Sequence, residues 1–343
     1  MNQRALNLSL LLLSISLPLQ AQTTIDPIET LGEIEILDPA AEALVDPDAK
    51  IERLATGFHW SEGPVWIAEG GFLVFSDVPR NTVFKWQDDE GLSIYLKPSG
   101  YTQSASREGE SGSNGLAVDN QGRLILCQHG DHRVARMDAP TTAAEPKFIT
   151  IAAEYQGKEF NSPNDLAIHS SGAIYFTDPP YGRIGAFKNT DRPLDYQGVY
   201  RVMPGEEPTL LTKKLRAPNG IALSPDEKTL YVAQSDSSNL IYMAYNVLDD
   251  GSIDEGRVLL DVTELGKQRP GSCDGLKVDT AGNLFATGPG GVLVISPEGK
   301  HLATIRTGDK IANCGFGEDG HTLYMTSNHD LCRVRVKAKG MGF

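Results

Sequence analysis

Oxygen-bearing side chains recur along this chain within phrases of one pattern: SEGPVW from Ser61, SNGLAVD from Ser113, PNDLAIH from Pro163, PNGIALS from Pro218, CDGLKVD from Cys273 and a weaker ANCGFGED from Ala312. With Glu62, Asn114, Asn164, Asn219, Asp274 and Asn313 as marks, the successive separations are 52, 50, 55, 55 and 39 residues. Brought to one point, Glu62, Asn164, Asn219 and Asp274 would offer two carboxylates and two amide oxygens. Such a set suits one divalent cation, Ca²⁺ above all, which takes about six to eight oxygens and fills gaps with water. Zn²⁺ would be expected to recruit His or Cys, although oxygen donors also accept Zn²⁺, Mn²⁺ and Mg²⁺ to some degree. A single Asn-Gly or Asp-Gly pair is an ordinary turn former. A turn has no use for Glu62, however, and does not explain the repeated register.

The elements that must position these side chains follow from the same repeat. A period near fifty residues belongs to propeller blades. Within each unit an apolar run follows the mark, then a polar turn, then a second run, as in GLAVD, NQG, RLILCQ; these are hairpin signals. Five units close on a further strand-like run (LSIYLK, KFITIA, TLLTKK, RVLLDV, HLATIR), whereas the sixth lacks one after LCRVRV. A matching run, KIERLAT from Lys50 to Thr56, stands before the first mark. The fold expected is all-β: a six-bladed β-propeller closed by its N-terminal strand, with a metal site in the central channel. Closure of this kind pairs the exposed sheet edges.

Residues 1–21 carry Arg4, an apolar stretch from Leu8 to Leu19 and a cut site after Ala21, and read as a secretory signal that places the protein in the periplasm or outside the cell. Residues 22–47 read as an acidic, loosely packed lead-in, and residues 48–343 as the propeller. The formal net charge of −14 argues against nucleic acid and anionic membranes as partners; after signal cleavage no membrane association is expected. Cys127, Cys273, Cys314 and Cys332 show no CxxC spacing and read as buried free thiols, with a Cys314–Cys332 bridge as the alternative.

Further side chains could face the channel. His129, at the end of the LILCQ run, is a candidate proton acceptor, since a neutral imidazole suits that work; His132 reads as a surface residue. Asn114 could bind substrate hydroxyls, and Asp178 and Tyr181, on the loop stiffened by Pro179 and Pro180, could position substrate. Asp165, next to Asn164, should point to the opposite side on a regular strand and reads as a turn residue or a partner of the site's ligands; Trp60 could wall the pocket or pack between blades, with packing favoured.

The phrases SEGPVW, NSPNDL from Asn161, TDPPYG from Thr177, PNGIALSPDEKTLYVAQ from Pro218 and CDGLKVD give the chain, from about Asp48 onward, a resemblance to the SMP-30/gluconolactonase/LRE-like family. It looks closest to the exported bacterial branch. The resemblance implies a calcium-dependent six-bladed propeller that hydrolyses a sugar lactone such as glucono-1,5-lactone to the aldonic acid. It implies Glu62, Asn219 and Asp274 as metal ligands, Asn164 as a ligand or a substrate contact through the metal, and Asp274 as general base. Animal members carry Arg two residues before the third mark, where it contacts sugar hydroxyls; Ser162 stands here. Two other functions fit the same residues. One is phosphotriester or other ester hydrolysis at the same ion; the other is a non-catalytic, calcium-stabilised propeller that binds a partner.

Overall fold

The computed structural model describes residues 29–105 and 107–343. The expected signal, residues 1–21, and the first part of the lead-in lie outside the described residues. Six antiparallel sheets form the blades. Blade 1 comprises Ser61–Ile67, Phe72–Asp77, Thr82–Gln87 and Gly91–Leu96; blade 2, Ser113–Val118, Leu124–Gln128, Arg133–Met137 and Phe148–Ala152. Blade 3 comprises Leu166–Ile168, Ile174–Asp178, Gly198–Val202 and Thr209–Thr212; blade 4, Pro218–Leu223, Thr229–Gln234, Ile241–Asn246 and Arg257–Asp261. Blade 5 comprises Leu276–Val278, Leu284–Gly288, Gly291–Ile295 and His301–Arg306, and blade 6 has Asn313–Gly317, Thr322–Ser327 and Asp330–Arg335. The innermost strands touch in blade order, and that of blade 6 returns to that of blade 1, so the ring is closed and the marked residues face one axis.

Closure is by the expected strand. Ile51–Thr56 pairs antiparallel with Asp330–Arg335, Thr56 opposite Asp330 and Glu52 opposite Arg333. From Glu29 onward the lead-in is not loose. Glu29–Leu31 adds an outer strand to blade 6 and Glu33–Ile36 one to blade 5. A short 3₁₀ turn, Pro39–Ala43, follows, capped by Asp38 accepting from the Ala40 N–H at 2.9 Å. Ala41 and Val45 are fully buried, and Arg269 donates to both oxygens of Glu35 at 2.6 and 3.0 Å. Acidic residues mask this segment in the sequence because an outer edge strand buries one face only.

The cores lie between blades. In Thr229–Gln234, Leu230 and Val232 pack toward blade 3 with Tyr175 and Val199, while Tyr231 and Ala233 pack toward blade 5 with Leu284 and Ala286. A strand that alternates between two apolar layers needs hydrophobic residues on both faces, hence the unbroken runs seen in the sequence. Each fully buried Val or Leu contributes about 1.5–3 kcal/mol. Among the described residues no helix is long and apolar enough to cross a membrane.

Candidate functional site

Around the mark, the pairing of the innermost strand shifts register in blades 1, 2 and 4, between Glu62 and Val65, Ser113 and Leu116, and Pro218 and Ile221. Such a bulge re-aims a side chain out of the pleat, here toward the axis. The glycines after the marks are there for space as much as for turning. A Cβ on Gly63 would lie 2.2 Å from the Asn114 carbonyl oxygen, and one on Gly220 would lie 2.2 Å from that of Asp274. The backbones of Asn114 and Asp274 therefore pack against the glycines of the preceding blades, and the ring of marks is drawn tight there.

The channel mouth holds a pocket of about 240 Å³ whose wall includes Glu62, Asn114, Asn164, Asn219, Asp274 and Tyr181. Glu62, Asn114, Asn164 and Asn219 are buried; Asp274 is half-buried, yet its Oδ1 is sealed from solvent and has no hydrogen-bond partner, as is the Oδ1 of Asn114. Glu62 Oε2 accepts from the Gly63 N–H at 3.0 Å. The electrostatics are those of acids without a counter-charge. Burial raises the Glu62 carboxyl above its ordinary range, and Asp165 adds to this. Burial also raises Asp274 well above its range, with Glu62, Asp165 and Glu110 contributing. Tyr181 is held above its ordinary value by burial and by the charge of Asp274.

Several expectations are corrected. Asp178 does not line the pocket. Its carboxylate is fully buried and accepts from the Asn161 N–H at 2.9 Å, the Asn161 Nδ2 at 3.1 Å and the Ser162 N–H at 2.7 Å. Burial pushes it up to about 7 against the pull of those donors and of Arg183. The same clamp recurs in other blades: Asp77 accepts from the His59 and Trp60 N–H groups, and Gln234 from the Arg216 N–H. The residue ending the second strand thus ties down the chain leading into the mark.

His129 is fully buried beneath the pocket rather than in its wall, behind Asn164. His132, expected at the surface, is half-buried with Arg107 Nη2 3.3 Å from its Nε2, and burial, then Arg183 and Arg107, lower it to about 3. Asp165 does not turn away from the channel. It is buried there, accepting from the Leu166 N–H at 2.9 Å and facing the Asn313 amide at 3.5 Å. Trp60 lines the pocket. Ser162 does not, since its hydroxyl donates to the Pro179 carbonyl at 2.5 Å and accepts from the Gly182 N–H at 2.8 Å. All four cysteines are buried free thiols.

Residues the repeat did not reveal also stand in the wall: Glu110, Ser235, Lys310 and Ile311. Glu110 lies on the loop before the second mark, outside any blade register, where Arg107 anchors the chain by donating to the Gly182 carbonyl. Ser235 was legible in principle. It follows the second strand of blade 4 as His129 follows that of blade 2.

Among the described residues no three His, Cys, Asp or Glu side chains gather at metal-binding distance. The four marked residues bring two carboxylates and two amides, with one carboxylate oxygen orphaned. That all-oxygen, anionic set fits a hard divalent cation.

Fold and site together define a six-bladed β-propeller with a carboxylate–amide pocket at the channel mouth. The family model for the SMP-30/gluconolactonase/LRE-like region matches residues 60–329, and the chain belongs to that family. It is 39% identical over 318 residues to a gluconolactonase of Zymomonas mobilis, covering 91% of this chain and 88% of that protein. It is 25% identical over 278 residues to regucalcin of Xenopus laevis, covering 78% and 83%. A solved structure of a gluconolactonase from Xanthomonas campestris superposes with a TM-score of 0.77 at 31% identity, covering 91% of this chain and 99% of that one.

Proposed function

We propose that this pocket hydrolyses a sugar lactone, such as glucono-1,5-lactone, to the aldonic acid, with one divalent cation, Ca²⁺ first, held by Glu62, Asn164, Asn219 and Asp274. The observation that carries the reading is the sealed, unpartnered Asp274 Oδ1 in a wall of oxygen donors, on a chain that shares 39% identity with a gluconolactonase. When bound, the cation supplies Lewis acidity that polarises the lactone carbonyl.

The chain's own groups do the rest. Asp274, whose affinity for a proton is raised by burial and by its acidic neighbours, accepts the proton of the attacking water. The water oxygen bonds to the carbonyl carbon, the ring C–O bond breaks, and the ring oxygen leaves as a hydroxyl by taking that proton from Asp274. A positioned acceptor of this kind contributes about 10²–10⁴-fold. The orphaned Asn114 Oδ1 accepts from a sugar hydroxyl, Tyr181 donates to one, and Trp60 and Ile311 offer an apolar wall to the ring face. With Ser162 turned away, hydroxyl recognition falls to these residues. His129 lies against the Asn164 amide and does not line the pocket, so the proton transfer is assigned to Asp274. The apolar stretch from Leu8 to Leu19 and the site after Ala21 support export, to the periplasm or beyond, and with it the exported bacterial branch of the family.

Acid release from glucono-1,5-lactone tests the reading. Wild-type protein should exceed the spontaneous rate, and Asp274→Asn should lower kcat by at least about 100-fold. A folded wild type with no rate above background would overturn the lactonase reading; full activity in Asp274→Asn would move the base elsewhere.

A further inference from the structure

Two amides in the site, Asn164 and Asn219, serve it only if their oxygens face the pocket, and an amide can turn over at little steric cost. The structure holds each of them by its nitrogen. Asn219 Nδ2 lies 2.9 Å from Ser235 Oγ, whose own proton goes to the Cys273 carbonyl. With its hydrogen spent, that hydroxyl can only accept, so the Asn219 nitrogen must face it. Asn164 Nδ2 lies 3.4 Å from His129 Nε2, and on the other side of the ring His129 Nδ1 lies 3.0 Å from Glu110 Oε2. The Nδ1 contact is near in distance but short of hydrogen-bond alignment.

A carboxylate only accepts and an amide nitrogen only donates. The tautomer that satisfies both neighbours therefore carries its hydrogen on Nδ1 and leaves Nε2 as acceptor. The other tautomer would set lone pair against lone pair at Glu110 and N–H against N–H at Asn164. The Asn164 backbone is already fixed, its N–H donating to the Thr177 carbonyl at 2.9 Å and its carbonyl accepting from the Gly115 N–H at 2.7 Å. The amide's sense of rotation is the freedom left to settle.

We infer that Glu110 and His129 form a positioning relay that sets the tautomer of His129 and thereby turns the Asn164 carbonyl oxygen into the pocket, as Ser235 does for Asn219. His129 and Ser235 occupy the same place in their blades, directly after the second strand, so the fold uses one register position twice for one task. His129 is a positioning residue and not a catalytic one. The inference rests on the reading of Asn164 as an oxygen donor to the cation.

The test combines two measurements. In ¹⁵N-histidine NMR of the wild type without added cation, the nitrogen shifts of the buried His129 ring should show the hydrogen on Nδ1, and Glu110→Gln should weaken that preference. Calorimetric titration with Ca²⁺ should show affinity lowered about 10- to 100-fold in His129→Phe, the range typical when a partner of a metal ligand is lost. His129→Gln, whose amide can donate to Glu110 and accept from Asn164, should recover part of it. Ser235→Ala should weaken Ca²⁺ binding in the same way. A wild-type ring with its hydrogen on Nε2, or a folded His129→Phe protein with unchanged Ca²⁺ affinity, would overturn the relay. If wild-type protein bound no Ca²⁺, the cation reading would fall, while the tautomer measurement would still decide the relay.

Discussion

Replacing Asp178 by alanine separates a structural clamp from a substrate contact. The carboxylate receives the backbone N–H groups of Asn161 and Ser162 and the Asn161 side-chain amide. That amide keeps another partner, the Tyr196 carbonyl at 2.8 Å, so alanine orphans two buried backbone donors. Each costs about 1–3 kcal/mol, for at most about 6 kcal/mol. Part is returned, because the protein no longer holds a sealed carboxylate that burial already raises to about 7. The net loss expected is about 4 kcal/mol, a large share of the roughly 5–15 kcal/mol that holds a domain folded. At about 2 °C per kcal/mol for a chain of this length, the melting temperature should fall by about 8 °C. Thermal and urea denaturation measure the loss; lactone kinetics below both melting points measure KM. A melting temperature unchanged within error, with KM raised tenfold, would refute the clamp and restore Asp178 as a substrate contact.

Deleting residues 1–47 should lower the melting temperature by several degrees. It strips the outer strands of blades 5 and 6 and the fully buried Val45, which by itself contributes about 1.5 kcal/mol or more; an unaltered melt would make the segment a mere linker. His132 sets a pH dependence. It faces Arg107, Arg183 and His129, with the chain at Asn161 beside it, and is lowered from 6.5 to about 3, so the unfolded chain binds more protons than the native one between those values. Its contribution is therefore full above pH 6.5 and is lost as pH falls toward 3, at most on the order of 5 kcal/mol in all. Urea melts across that window should be less steep in pH for His132→Gln, and identical slopes would count against the assignment.

The ring was legible because the closed propeller repeats its inner strand, and with it the marks at Glu62, Asn114, Asn164, Asn219 and Asp274. The closing strand was legible because Lys50 to Thr56 reads as the run missing from blade 6. Glu110 was not, since it stands on a loop that belongs to no blade and reaches the pocket only through the tertiary fold. Asp178 was misread because a carboxylate at the end of a strand looks alike whether it faces a channel or the backbone leading into the neighbouring strand. Recognising that Asp77 and Gln234 share its register position would have exposed the clamp. The outer strands escaped notice because Glu29, Glu33 and Glu35 on a half-solvated edge hide the alternation.

The proposal that Glu62, Asn164, Asn219 and Asp274 hold a cation needed for lactone hydrolysis can be tested on the whole protein. Its most direct test is acid release from glucono-1,5-lactone by purified protein before and after chelation, with Ca²⁺, Zn²⁺, Mn²⁺ and Mg²⁺ restored separately. The rate should fall to the spontaneous background on chelation and return with a divalent ion, Ca²⁺ first. A full rate from protein verified to be metal-free would contradict it.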